Sequence, residues 1–365
     1  MSLKAVHVTD ILNFDNLPDS SSLVSPIATA ECIGSKKLAH NVKKFTVVGH
    51  RGSGMNSLQS ADLRMKDFKE NTIASFNAAS RFDIDFIEFD VQVTKDKHPV
   101  IFHDDYIITE SEGKIIEKRV TDTSLSEFLS YGIQRDPLEE GKPLLRKTQD
   151  GNIRKWEVRK DDSLCTLQEA FEQVDPYLGF NIELKFDDQI AYEEAHLTTV
   201  LKSVLQTVFD YAKERPIIFS SFQPDAASLV RKLQKAYPVF FLTNGGNRVY
   251  NDKRRNSLEE ALALCRECGL QGVVSEVRGV LRNPDYVRKM KEAELTVFTY
   301  GQLNNVAEAV YVQYLMGVDG VIVDLVKEVT DSTTVLLADN DHVSKVRFSN
   351  KEVDFLLKLI PHLIR

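Results

Sequence analysis

Two histidines, three carboxylates and two cations stand in or beside short apolar runs of this chain. His50-Arg51-Gly52 follows the run 45–49, and His103-Asp104 follows the run 99–102. Glu88 and Asp90 lie two apart within 86–93, and Glu183 and Lys185 lie two apart within 180–185. Residues two apart in a strand share a face. Glu88 and Asp90 therefore point one way and Ile87, Phe89 and Val91 the other; Glu183 and Lys185 are set against Ile182 and Leu184 in the same manner. Carboxylates turned into an interior are costly unless they are paired or hold a metal. Three of them make a hard oxygen site suited to Mg²⁺ or Ca²⁺. Two imidazoles can serve as base and acid. Arg51 and Lys185 can hold an anion, Arg as a planar fork and Lys as a point charge. Acids for a metal, cations for a phosphate and a histidine pair together describe cleavage of a phosphodiester.

Such a set needs a scaffold that gathers strand ends. Strand-length apolar runs occur at 45–49, 86–93, 99–102, 180–185, 217–222, 239–242, 272–275, 296–300 and 321–324, with helical patterns in most of the gaps. That alternation indicates α/β architecture with parallel strands. Asn71 or Thr72, Ser163 or Thr166, and Ser257 are suited to cap helices, and Gly269 to end one. No glycine-rich dinucleotide loop follows the first strand, which favours a closed barrel over an open sheet. In a closed barrel the C-terminal strand ends meet on one face, so the four runs would bring their polar residues together there. Two features do not fit a regular barrel. Nine runs compete for eight places, and residues 92–98 are too few for a crossover helix. The barrel is therefore expected to be irregular here, or one run to be an extra strand.

The 365 residues are 42% hydrophobic and 27% charged, an ordinary globular balance. The net charge of -8 argues against a nucleic-acid partner, yet a few local cations can still hold one small phosphodiester. Four cysteines do not make a disulfide framework, and Cys265 and Cys268 are taken as structural members of a helix. No run is long and apolar enough to span a membrane. Residues 1–44 lack an apolar leader core and carry Asp10, Asp15, Asp19 and Glu31 with no Arg. A cytoplasmic location is expected, with a plastid one left open. The organisation expected is an N-terminal arm over 1–44, a barrel over 45–330 with a polar insertion lobe at 104–160, and an extension over 331–365. The extension ends in a helix carrying Val353, Leu356, Leu357, Ile360 and Leu363.

The runs HRG (50–52), ENT (70–72), IEFDVQVTKD (87–96), VIFHDD (100–105), NIELK (181–185), FSSFQPDA (219–226) and GVDGVIVD (317–324) resemble the glycerophosphodiester phosphodiesterase family, and the whole sequence resembles its short plant members. The resemblance implies an irregular TIM (β/α)8 barrel with an insertion after the third strand. It implies metal-dependent hydrolysis of glycerophosphodiesters, such as glycerophosphocholine or glycerophosphoethanolamine, to glycerol 3-phosphate and an alcohol. Glu88, Asp90 and Glu183 would then hold a divalent cation, Mg²⁺ or Ca²⁺; His50 and His103 would be the catalytic pair; Arg51 and Lys185 would contact phosphate. A place in phosphate homeostasis goes with that chemistry. The sequence departs from the family at Phe298-Thr299-Tyr300-Gly301, where members carry a WTVN-like run. A lysophospholipase D activity on longer lipids, a phosphoinositide-type phospholipase and a non-catalytic phosphodiester-binding barrel stand as alternatives. Water and the glycerol 2-hydroxyl both stand as the nucleophile. Lys185 could serve only to neutralise the acids. Glu70 is expected to close the start of the following helix, and Asp104 and Asp105 to be turn residues. The oligomeric state is not legible.

Overall fold

This computed structural model describes residues 45–148 and 150–337; the arm at 1–44 and the helix expected near the C-terminus lie outside them. In chain order the strands are β1 (Thr46–Gly49), β2 (Phe86–Val93), β3 (Pro99–Ile101), β4 (Tyr106–Ser111), β5 (Lys114–Arg119), β6 (Leu145–Lys147), β7 (Ile153–Lys155), β8 (Gly179–Leu184), β9 (Ile217–Ser221), β10 (Val239–Thr243), β11 (Gly272–Glu276), β12 (Thr296–Tyr300) and β13 (Gly320–Val323). Eight of them, β1, β2 and β8 to β13, pair in parallel, and β1 closes on both β13 and β2. This is the closed barrel expected.

The strands are Val-, Ile- and Phe-rich because both faces are covered. Their outward residues, among them Ile87, Phe89, Val91, Phe180, Ile182, Phe219 and Phe241, pack with helix residues such as Leu197, Leu201, Val204 and Leu262. Their inward residues Val48, Phe86, Ile218, Phe240, Leu242, Val274, Phe298 and Ile322 fill the barrel. Three inward rings each face a glycine on the adjacent strand: Phe86 opposite Gly179, Phe240 opposite Gly272, and Phe298 opposite Gly320. A methyl group at any of the three glycines would collide with its ring. The helix ends follow the capping signals. Thr72 accepts from the Ser75 N–H at the start of Ile73–Ala79, Thr166 and Glu169 form a capping box, and Ser257 opens Leu258–Cys268, which stops at left-handed Gly269.

The ninth run is β3, and it corrects the picture of four strand ends on one face. It pairs antiparallel with β2, with Val93 opposite Pro99 and Val91 opposite Ile101. The chain leaves the top of β2, turns at Lys97 (φ 67) and runs back down. The Phe102 N–H donates to the Asp90 carbonyl at 2.9 Å, so His103 arrives beside Asp90 by a hairpin and not at the end of a barrel strand.

Residues after His103 form a second sheet, β5-β4-β6-β7, antiparallel throughout. These strands were not legible as strands. β5 and β7 are largely exposed, and each of the four strands mixes charged with apolar residues. One local signal was present: Glu112-Gly113 turns the β4–β5 hairpin with both φ values positive, at 52° and 73°, as a two-residue hairpin turn requires. Val100 of β3 and Phe102 just after it pack with Ile107 of β4, with Leu144 and Trp156 beside β6 and β7, and with Phe128 of the helix Leu125–Leu129.

The ring-opposite-glycine packing predicts the effect of Gly320→Ala. The new methyl would lie 2.7 Å from the Thr46 carbonyl oxygen and 2.9 Å from the Phe298 ring. Stability measured by chemical denaturation should fall by about 1–3 kcal/mol, as for overpacking in a filled core. An unchanged denaturation midpoint would contradict this packing.

Candidate active site

The chain bends immediately after β1. Arg51 (φ 50) and Gly52 (φ 89) are both left-handed, and a side chain at 52 would run into Ser75. The bend aims the Arg51 N–H at Glu88 Oε2, 3.0 Å away. Glu88 and Asp90 project inward from β2, and the β2–β8 register sets Asp90 beside Glu183. One oxygen from each of Glu88, Asp90 and Glu183 lies within 4.8 Å of the others. All three carboxylates are buried.

Nearby cations serve this cluster. Lys185 Nζ lies 3.2 Å from Glu183 Oε1 and 3.7 Å from Asp90 Oδ1. Arg51 Nε lies 3.4 Å from Asp90 Oδ2, and Asn71 Nδ2 donates to the same oxygen at 2.9 Å. Burial works against charge on Asp90, but the facing His103, Arg51 and Lys185 and the Asn71 bond outweigh it and hold the carboxyl at about 2. Glu88 goes the other way: burial and then the charge of Asp90 push it up to about 8. Burial also raises Glu183, with Asp90 adding to the effect. Glu88 Oε1 is buried with no hydrogen-bond partner. Three crowded carboxylates with an unpartnered oxygen fit a hard divalent cation, which takes oxygen ligands and restores the charged forms.

The structure also brings the two histidines to this cluster. His50 Nδ1 lies 2.7 Å from Asp324 Oδ1, while its Nε2 lies 3.9 Å from Glu88 Oε2. Asp324 is itself fixed by the Met55 N–H at 3.0 Å and by Asn305 Nδ2 at 3.1 Å. Burial lowers the His50 imidazole, but the charge and hydrogen bond of Asp324 outweigh it and raise it. His103 Nδ1 lies 2.7 Å from Asp104 Oδ1. Burial, then Arg51 and Lys185, drive His103 well below its ordinary value. The two rings are driven in opposite directions.

Three expectations need correction or addition. Glu70 does not close the helix, since Thr72 caps it; Glu70 is buried and accepts from Arg51 Nη1 at 2.6 Å. Asp104 lies in the bend between β3 and β4, as expected, and in addition is the partner of His103. Asp324 was missed, although a carboxylate straight after the run GVIV stands where His50 stands after β1. Arg51 and Lys185, expected as phosphate contacts, both reach the carboxylates.

The sequence profile of the glycerophosphoryl diester phosphodiesterase family matches residues 50–328. This chain belongs to that family. It is 57% identical, over the full length of both chains, to a chloroplastic glycerophosphodiester phosphodiesterase of Arabidopsis thaliana. It is 30% identical to a human glycerophosphocholine phosphodiesterase, over 76% of this chain and 43% of that one. Among solved structures, a glycerophosphodiester phosphodiesterase from Parabacteroides distasonis superposes with a TM-score of 0.54 at 19% identity, covering 81% of this chain and 98% of that one. An Oleispira antarctica phosphodiesterase in complex with sn-glycerol-3-phosphate gives 0.55 at 20% identity, covering 79% and 96%. Both share the fold described above.

The carboxylate trio predicts a stability response. Adding Mg²⁺ or Ca²⁺ to EDTA-treated protein should raise its thermal midpoint, because a ligand bound only by the folded state stabilises it by mass action. Glu183→Gln should lose most of that rise. An equal rise in the variant would place the ion elsewhere.

Proposed function

We propose that this chain hydrolyses glycerophosphodiesters, glycerophosphocholine among them, to glycerol 3-phosphate and the free alcohol, at a site built by His50, His103, Glu88, Asp90, Glu183, Arg51 and Lys185. The observation that carries the reading is the meeting of the buried carboxylate trio with two Asp-held imidazoles in the mouth of one barrel. Membership of the family and relatives matched end to end support it.

Glu88, Asp90 and Glu183 would hold Mg²⁺ or Ca²⁺, which when bound supplies Lewis-acid polarisation of a phosphoryl oxygen. Arg51 and Lys185 border the same space as fixed cations, and such groups offset charge building on phosphorus better than reorganising water does. Asp324 and Asp104 occupy the Nδ1 side of their histidines, which leaves Nε2 to move protons. One imidazole takes the proton of the attacking hydroxyl and the other protonates the departing alcohol oxygen. The net reaction adds water across the P–O bond to the head group. Release of glycerol 3-phosphate from lipid-derived diesters gives the chain a place in phosphate homeostasis. Among the described residues no helix is long and apolar enough to cross a membrane. The chloroplastic name of the Arabidopsis relative supports a plastid address beside the cytoplasmic one.

The test is glycerol 3-phosphate release from glycerophosphocholine with Mg²⁺, with Ca²⁺ and with EDTA. Release should require an ion. His50→Ala and His103→Ala should each lower kcat by about 10²–10⁴-fold, the usual worth of a positioned acid or base. No release with either ion by folded wild-type protein would overturn the reading.

A further inference from the structure

The insertion sends one charged side chain into the centre of the site. Arg146 lies on β6, in the second sheet, and is buried. Its guanidinium makes two bonds to Asp104, from Nε to Oδ2 and from Nη2 to Oδ1, each 2.9 Å. The same group reaches Glu70, with Nη2 3.0 Å from Oε1 and Nη1 2.9 Å from Oε2. It therefore bridges Glu70, from the segment just before the Ile73–Ala79 helix, and Asp104, which directly follows His103 at the start of the insertion. Each of those carboxylates holds a residue of the proposed machinery: Asp104 takes His103 at 2.7 Å, and Glu70 takes Arg51 at 2.6 Å.

The bridge is itself fixed from behind. The guanidinium carbon lies 4.1 Å from the centre of the Trp156 ring. Trp156 Nε1 donates to Asn56 Oδ1 at 2.9 Å, and that oxygen also accepts the Glu70 N–H at 3.1 Å. The Asn56 N–H closes the circuit on Glu70 Oε2. A planar fork with several donors can satisfy two carboxylates at once and lie flat on a ring; the ammonium of lysine cannot do both.

We propose that Arg146 is a positioning residue, which fixes His103 through Asp104 and Arg51 through Glu70, so that the insertion is part of the catalytic apparatus and not merely its cover. This rests on the role of His103 given above. Outer partners of this kind, when lost, typically cost about 10–100-fold in function.

The test compares Arg146→Lys, Asp104→Ala and the double variant, with Arg154→Lys as a control on the paired strand, where Arg154 is exposed and bonds Asp150 in the β6–β7 turn. Arg146→Lys should lower kcat for glycerophosphocholine by about 10-fold or more with KM changed far less, as for loss of an orienting contact. Asp104→Ala should act similarly, and the double variant should be little worse than either single one, because the two residues form one unit. Arg154→Lys should match wild type. Nitrogen NMR of the His103 ring, assigned with His103→Gln, should show the Nδ1–H tautomer in wild type and a mixture in Arg146→Lys. This second readout needs no turnover, so an inactive wild type would count against the function proposed while the tautomer still decides the positioning. Wild-type kcat in Arg146→Lys, independent effects of the two substitutions, or an unchanged His103 tautomer in Arg146→Lys would overturn the inference.

Discussion

The structure turns on buried negative charge. Glu70, Glu88, Asp90 and Glu183 are all buried around one barrel mouth. Ionised carboxylates without partners are too costly to bury, so each must be answered by a cation, a donor or a shared ion. Glu70 is answered in full by Arg51, Arg146 and the Asn56 N–H, and is held at about 2 against the effect of burial. Asp90 is answered by Lys185, Arg51 and Asn71. Glu88 is answered least, with one oxygen on the Arg51 N–H and the other without a partner. Glu70 is closed off by its partners, while Glu88 keeps one oxygen open, as the cation site proposed for it and its two neighbours requires.

The backbone features next to the site serve that arrangement. The left-handed bend at Arg51 and Gly52 lays one N–H on Glu88 and turns the Arg51 side chain toward Glu70. The β2–β3 hairpin returns the chain to the level of Asp90, which lets His103 join carboxylates that lie below the top of β2. Left-handed Asn71 (φ 57) places its amide on Asp90 just before the Thr72 cap, so one turn both starts a helix and serves the cluster. Asp324, beyond the last barrel strand, meets His50, beyond the first, because β1 and β13 are neighbours.

Much of this was legible in the sequence. The eight barrel strands follow from short apolar runs set between helical patterns, and the shared facing of Glu88 with Asp90 and of Glu183 with Lys185 follows from their two-residue spacing within such runs. The extra strand was visible only as a surplus, since an antiparallel hairpin and a barrel strand present the same short apolar run, and only the shortness of the link before it told them apart. The second sheet was hidden by its exposure. Arg146 was hidden with it: an arginine in a polar stretch gives no local sign that its guanidinium will be buried between two carboxylates distant in sequence. The tasks of Glu70 and Asp104 were hidden for a related reason. A carboxylate before a helix or in a turn is usually a cap, and only the tertiary partners Arg51, Arg146 and His103 give these two another task.

The central claim is that the Glu88, Asp90 and Glu183 carboxylates are arranged for one divalent cation. Crystals grown with Mn²⁺, an ion that suits carboxylate oxygen, test it through anomalous scattering. The account predicts one strong peak enclosed by those three side chains, with the formerly unpartnered Glu88 oxygen turned to it. A fully occupied peak elsewhere, or none at saturating Mn²⁺ with Lys185 alone bridging the acids, would contradict it.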